Sequence, residues 1–394
     1  MIREPGPWLW IAILVGTLAR AWLLFGTAGT LDVDTWAGHA WEINQKGLIA
    51  YYHGGEYIYN HPPLMGEIFS RLYRLAAWTG VPFAVFLRAP FAVLDFGTAL
   101  LLLKLLAGNP RRYAFFAGYW LLPLAIVFSS YHGNTDSALA FFLVAAVILV
   151  SRGRSLAAGA VLGIGLWIKF PAILALPALA FGFVDWKHRF RFVAATGAVG
   201  IATYLPALVQ DAAVVIDSVF LYPGLQIQTP AGIRIWGTQL FFPDVPGFEP
   251  FARAIYRANT WICLLPVGFL AWARRAQRSP LEIAGNVGAA YAVFHGLTNF
   301  WAFQYLAWAL PLWLVAGRRF TIPAMLVTTA YVVGLYVWLC DSWILAGTWD
   351  WMGRPHWPQW LLWLRDGCVL FFFGSALFLI VRDGRRAWLR DEPD

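Results

Sequence analysis

About twelve apolar runs, separated in turn by arginine-rich turns and by long aromatic loops, leave this chain few folds. A run of roughly 20 apolar residues crosses a bilayer as a helix, because a helix satisfies its own backbone polar groups. The first runs are Trp8 to Phe25, Phe83 to Leu106, Tyr113 to Phe128 and Ala138 to Val150. Leu156 to Trp167, Pro171 to Val184 and Phe192 to Val209 follow, and later ones end near Arg274, Thr298, Val315, Asp341 and Arg382. Composition agrees: 13% of residues are charged, against about a quarter in a soluble domain. The expectation is an all-α polytopic membrane protein of about twelve transmembrane helices. It forms one domain over residues 1–394, and its fifth and sixth segments are either two spans or one re-entrant pair.

The net charge of +8 does not mark a nucleic-acid partner. The basic residues cluster in short loops on one assigned side, which is the positive-inside pattern, and this places both termini in the cytoplasm. Three longer loops, at 26–80, 210–252 and 341–359, then share the opposite face. The N-terminal apolar run lacks an A-x-A cleavage site and reads as a retained anchor. Cys263, Cys340 and Cys368 lie in or beside apolar segments without ligand spacing, so they are expected to be core residues.

The loop from Leu31 to Leu64 carries the densest chemistry. Asp32 and Asp34 sit just past the first span. A carboxylate there is placed either to cap a juxtamembrane helix or to take the proton of a hydroxyl attacking an anomeric carbon. His61-Pro62-Pro63-Leu64 closes the loop and starts an amphipathic helix to about Thr79, with Met65, Ile68 and Leu72 against Glu67, Arg71 and Arg74. In the run Ser129 to Ser137, His132, Asn134 and Asp136 form either a polar site or a solvated turn. Lys169 lies between two short apolar segments and either snorkels or meets a lipid phosphate. Arg234, beside Trp236, is a similar phosphate candidate. Asn299, Gln304 and Tyr305 mix amides with aromatics before the tenth segment. Arg88 and Asp95, two helical turns apart, are expected to pair structurally.

In this order the motifs resemble the GT-C superfamily of integral membrane glycosyltransferases. They are DVD after the first span, NHPPL, the run PLAIVFSSYHGNTDS, LWIKFPAILALPAL and the late QYLAWALPL. The PLAIVF and LWIKFP runs look like the GPI-anchor mannosyltransferase I group, while NHPPL and YHGNTD look like the dolichol-pathway glucosyltransferases. The resemblance implies inverting transfer of a hexose, mannose ahead of glucose, from a polyprenyl- or dolichyl-phosphate donor on the non-cytoplasmic face. It implies Asp32 or Asp34 as base, with Asp32 preferred, and Asp34 holding the acceptor or a metal. Lys169, Arg234 and His132 would cradle the donor phosphate. His39, His61, Asn134, Asp136, Trp236, Gln304 and Tyr305 would line the substrate. No cofactor is expected, since no further ligand cluster is visible. Heavy Arg and Trp usage points to a prokaryotic plasma membrane, with a glycolipid, polysaccharide or other cell-envelope acceptor. The rivals are a flippase of lipid-linked sugars, which should show related halves and helices interrupted at the midplane, and a polysaccharide polymerase or ligase.

Overall fold

The computed structural model describes residues 6–54, 58–222, 236–241, 249–354 and 356–391. Within the expected second loop, residues 223–235, Arg234 included, and 242–248 lie outside these residues. Among the described residues the chain is all helix and turn, with no strand.

Helix α1 (Pro7–Gly26) enters from a proline in its first turn, where a missing N–H costs nothing. Trp10, Ile11, Leu14 and Leu18 face outward from it, as lipid-facing residues do. Three helices fold back from its end: α2 (Leu31–Lys46), α3 (Leu48–His53) and α4 (Pro63–Thr79). The amphipathic helix expected from Leu64 to Thr79 is α4, with Met65, Phe69 and Ala76 buried and Arg71 and Arg74 exposed. A second apolar core joins Trp36, Ile43, Tyr51, Tyr59 and Phe69 of this unit to Leu87 and Phe91. Polar ties reinforce it. Ser70 Oγ donates to Asn44 Oδ1 at 2.9 Å, and the His53 ring lies 2.8 Å from Asp211. The first loop is therefore a packed helical layer.

The chain continues through α5 (Phe83–Leu105), α6 (Arg112–Trp120) and α7 (Pro123–Val127), the last running into a π-helical turn at Phe128–His132. Next come α8 (Asp136–Ser151), α9 (Ser155–Ile168), a 3-10 turn at Phe170–Ala175, and α10 (Leu176–Phe181). Helices α11 (Trp186–Ala202) and α12 (Leu205–Val215) precede α13 (Glu249–Ala273) and α14 (Pro280–Leu297). After a 3-10 turn at Phe303–Ala309 the chain ends in α15 (Leu310–Leu314), α16 (Arg318–Cys340) and α17 (Gln359–Asp391). Glycine lets α9 meet α11 closely. A Cβ on Gly159 would stand 2.3 Å from the Phe192 carbonyl, and one on Gly163 2.8 Å from Val199 Cβ. This is the small-xxx-small contact of membrane helices.

Among the described residues five helices are long and apolar enough to cross a membrane, or seven if each of two bent pairs is one span. The protein is thus a polytopic membrane protein, and length and composition alone do not reach twelve. The runs at Asp136–Ser151, Ser155–Ile168 and Phe170–Phe181 are helical but short. At about 1.5 Å per residue they fall below the ~30 Å hydrocarbon thickness. Prolines bend others: α6 and α7 meet at 49°, and α11 and α12 at 82°. Apolarity marks a buried helix as strongly as a spanning one, so counting runs does not separate the two.

One expected contact is replaced by two others. Arg88 does not reach Asp95. Its guanidinium donates to the carbonyls of Leu23, Leu24 and Thr27 at 2.8–3.1 Å, closing the open C-terminal end of α1. Asp95 instead pairs with Arg20 and accepts from Tyr119 and Ser129. Two positions seven apart stack on one helix face, and there a neighbouring helix offers closer partners than the next-but-one turn. The three cysteines are free and buried, as expected.

Candidate active site

Asp32 is placed by the clamp on α1 and by the cap of α2. With Arg88 holding the last carbonyls of α1, the chain turns through Gly29 (φ 91°) to Thr30. The Thr30 side chain accepts from the Asp32 N–H at 3.2 Å and donates to the His132 carbonyl at 2.6 Å. That hydroxyl fixes the first turn of α2 against the π-helical turn before α8.

The Asp32 carboxylate then meets two side chains of the Ser129–Ser137 run. Asn134 Nδ2 donates to Oδ2, and the amide is oriented because its Oδ1 accepts the Thr135 N–H at 2.6 Å. His132 Nε2 stands 3.2 Å from the same Oδ2, an ion-pair distance without hydrogen-bond alignment. His132 Nδ1 lies 2.6 Å from the Tyr336 hydroxyl. Burial alone would raise the Asp32 carboxyl. The His132 charge and contact, the Asn134 bond and the Lys169 charge outweigh it, and hold the group below the usual carboxylate range. The Asp32 side chain is still 32% exposed, so a ligand can reach it.

Asp136 begins α8 and takes Lys169 Nζ at 2.7 Å and Trp308 Nε1 at 2.5 Å, both on Oδ1. Lys169 sits at the break after α9, in extended backbone, and its ammonium lies 4.8 Å from the Tyr305 ring. Tyr305 in turn stacks on Trp308 with centroids 4.4 Å apart. Two buried acceptors have no partner among the described residues, Asp136 Oδ2 in this cluster and Gln304 Oε1, next to Tyr305 in the chain. Buried acceptors of this kind ordinarily find a donor, and a ligand rich in hydroxyls would supply it.

His39 and His61 lie in the adjoining wall. His39 Nδ1 is 2.7 Å from the Tyr51 hydroxyl, and His61 packs on Trp36 at 4.4 Å. Burial lowers the His39 imidazole to about 4 despite the Asp32 charge. Burial, with Lys169, pushes His61 well below its usual value. Both rings are neutral at neutral pH and act as donors and acceptors, not as charges.

Of the residues expected from the sequence, Asp32, His132, Asn134, Asp136, Lys169 and Tyr305 come together, with His39 and His61 beside them, while Gln304 adjoins Tyr305 in the chain. Asp34 does not join them. Two residues along a helix point roughly 200° apart, and Asp34 is exposed. Trp236 is buried one ring away, donating to the Tyr331 hydroxyl and packing on Phe303, whose ring borders His132. Tyr336 and Trp308 escape sequence reasoning, because inside an apolar run an aromatic reads as core. Thr30 carried a usable signal, a threonine directly before an acidic first turn. Among the described residues no three metal-ligating side chains gather.

Gly133 gives a local test of this arrangement. Its φ is 78°, and an added Cβ would stand 2.4 Å from Val33 Cγ2. Gly133→Ala is expected to lose about 1–3 kcal/mol of stability and to separate His132 from Asp32, read as a lower unfolding midpoint with slower turnover.

Compared with curated proteins, the chain is similar to GPI mannosyltransferase 1 of Kluyveromyces lactis, 32% identical over 90 residues. That stretch is 22% of each chain, so the match spans about a fifth of the length of this relative. No protein-family model matches the chain, and no solved structure does.

Proposed function

We propose that this chain is an inverting glycosyltransferase of the GT-C type, moving a hexose, mannose ahead of glucose, from a polyprenyl-phosphate donor. The acceptor is a lipid-linked or other cell-envelope glycan on the non-cytoplasmic face. The observation that carries the reading is the reachable, ionised Asp32 beside the Lys169–Asp136 pair. The partial likeness to a mannosyltransferase supports it.

In this mechanism an acceptor hydroxyl hydrogen-bonds to Asp32, which takes its proton as the oxygen attacks the anomeric carbon. The new C–O bond forms as the bond from that carbon to the phosphate oxygen breaks, and the electron pair leaves with the phosphate. Lys169 stabilises the charge that develops there, sharing its ammonium between the phosphate and Asp136. Hydroxyls of the sugar meet Asp136 Oδ2 and Gln304 Oε1, and its apolar face packs on the Tyr305 ring. Arg234, which lies outside the described residues, remains a second phosphate ligand in this proposal.

The direct test uses the purified chain in lipid vesicles with labelled polyprenyl-phosphate mannose and glucose and a short-chain glycolipid acceptor. Labelled glycolipid, formed faster from the mannose donor, is expected. Label that crosses the bilayer still attached to its polyprenyl donor would identify a flippase and overturn the proposal.

The pH profile tests the base. An unperturbed aspartate titrates near 3.9, and Asp32 is held lower, so kcat/KM should fall only as pH drops through that lowered value. His132→Gln removes the largest of the lowering influences and leaves burial less opposed. The acid limb of the variant is then expected at higher pH than that of wild type. Coincident limbs would remove Asp32 as the base.

A further inference from the structure

The third long loop, 341–359, is folded down on the end of α16. The Asp350 N–H donates to the Leu339 carbonyl at 3.1 Å, and Arg354 Nη1 donates to the Trp338 carbonyl. Gly353 donates its N–H to Asp350 Oδ1 at 2.7 Å. A Cβ on Gly347 would stand 1.8 Å from the Cys340 carbonyl oxygen, so only glycine allows this approach. Among the described residues the non-glycine residues in the left-handed region are Asp341 (φ 52°) and Leu345 (φ 56°), both in this loop. Such strain persists where the surrounding structure over-determines it, and it gathers at ligand sites.

What this backbone holds is a row of indoles. Trp236, Trp351 and Trp349 lie nearly parallel, at 16° and then 3°, with successive centroids 6.4 Å apart. Trp236 is buried, whereas Trp351 and Trp349 are half-buried, so the row runs from the interior to the surface. It borders the candidate site. Trp349 meets Tyr336 at 4.9 Å, and Trp351 meets Phe303 at 6.2 Å. Tyr336 and Phe303 both pack on His132, at 5.8 and 5.5 Å, and His132 stands beside Asp32. A single ring on each path separates the indoles from the imidazole that faces the base.

The occupant of this row is a polar molecule and not a lipid tail. The Asp341 side chain, 85% exposed, lies 3.4 Å from Arg354, and charges of this kind stay out of hydrocarbon. The lipid-facing part of the loop is elsewhere. Trp343 and Ile344 are 86% and 61% exposed beside α1, whose Trp22 donates to the Ile344 carbonyl at 3.0 Å. Aromatic faces take apolar surface in a defined geometry, and ligand sites add a few placed polar groups to it. A pyranose, with an apolar C–H face and hydroxyls at its edge, matches both.

We propose that Trp349 and Trp351 bind the second sugar ring of the acceptor. The inference rests on the transferase reading and narrows it: the acceptor is an oligosaccharide of at least two hexose rings. The terminal ring offers its hydroxyl to Asp32, and the next ring lies on the indoles.

The test uses the full chain in lipid nanodiscs and butyl glycosides of one and two hexose rings, in a mannose series and a glucose series. Binding is measured by isothermal titration calorimetry without donor, so it does not depend on turnover. Wild type should bind a two-ring glycoside at least about fivefold more tightly than its one-ring counterpart, the scale of one stacked ring. Trp349→Leu should lose most of that preference, and Trp349→Phe should keep part of it. Trp343→Leu, at the lipid-facing tryptophan of the same loop, should keep all of it. With labelled polyprenyl-phosphate mannose added, Trp349→Leu should raise KM for the two-ring acceptor by the same factor and lower kcat less. Equal binding of one-ring and two-ring glycosides by wild type in both series would overturn the proposal, as would a preference that survives Trp349→Leu or falls equally in Trp343→Leu. Equal loss of one-ring and two-ring binding in Trp349→Leu would mean a structural role through Tyr336, and would overturn it too. A preference lost in Trp349→Leu, but with no sugar transfer by wild type, would support the saccharide site and overturn the transferase reading instead.

Discussion

Asp32→Asn is expected to slow hexose transfer by about two to four orders of magnitude, the loss typical of a missing general base. Asp34→Asn should stay within a few-fold of wild type. The prediction is sharp because the two residues are chemically alike and two positions apart. Only Asp32 receives Asn134 and His132, while Asp34 is exposed on another side of the same helix. Asparagine keeps the size and the acceptor oxygen of Asp32, so the cap at Thr30 and the packing of α2 should survive. Unfolding midpoints of both variants should therefore lie near wild type, separating lost chemistry from lost structure. Equal losses in the two variants would show that the helix orientation does not choose between them.

The second large effect concerns stability. Asp95 is buried, paired with Arg20 and bonded by Tyr119 and Ser129. Arg20 also donates to the Trp120 carbonyl at 2.7 Å and lies over the Trp120 ring at 3.5 Å. Removing the guanidinium alone strands a carboxylate in an apolar interior, so Arg20→Leu is expected to cost about 3–5 kcal/mol. The double variant Arg20→Leu with Asp95→Leu should recover most of that loss, because desolvating two charges offsets much of what their attraction returns. Denaturation of the two variants in one detergent measures both. A double variant as unstable as the single one would mean that the pair is worth more than its desolvation cost.

The helical class and the amphipathic helix that closes the first loop were legible in the sequence because each has a local cause. The proline pair before Leu64 starts a helix, and the alternation of Met65, Ile68 and Leu72 with Glu67, Arg71 and Arg74 makes α4 amphipathic. Charge is expensive at membrane depth, which made Asp32 and Lys169 candidates, but grouping them with His132, Asn134 and Asp136 rested on the family resemblance, and the structure brings these five together. What stayed illegible depended on helices meeting across long separations. Asp95 turns to Arg20 and not to Arg88, because α1 lies against α5 at that level. Tyr336 reaches His132 from more than 200 positions away in sequence, and nothing local marks it apart from its apolar neighbours. Among the described residues five to seven of the expected twelve spans meet the length criterion, and the rest fall short for a related reason, since a helix buried in protein needs neither the length nor the straightness of one crossing lipid.

The proposed reaction is a single displacement in which Asp32 activates the acceptor. The most direct measurement is the anomeric configuration of the product by NMR, from a polyprenyl-phosphate donor of defined anomer, with wild-type protein. An inverted linkage, with polyprenyl phosphate released in equal amount, is the predicted result. A retained linkage would require a second displacement through a covalent or ion-paired intermediate, and would contradict the role given to Asp32.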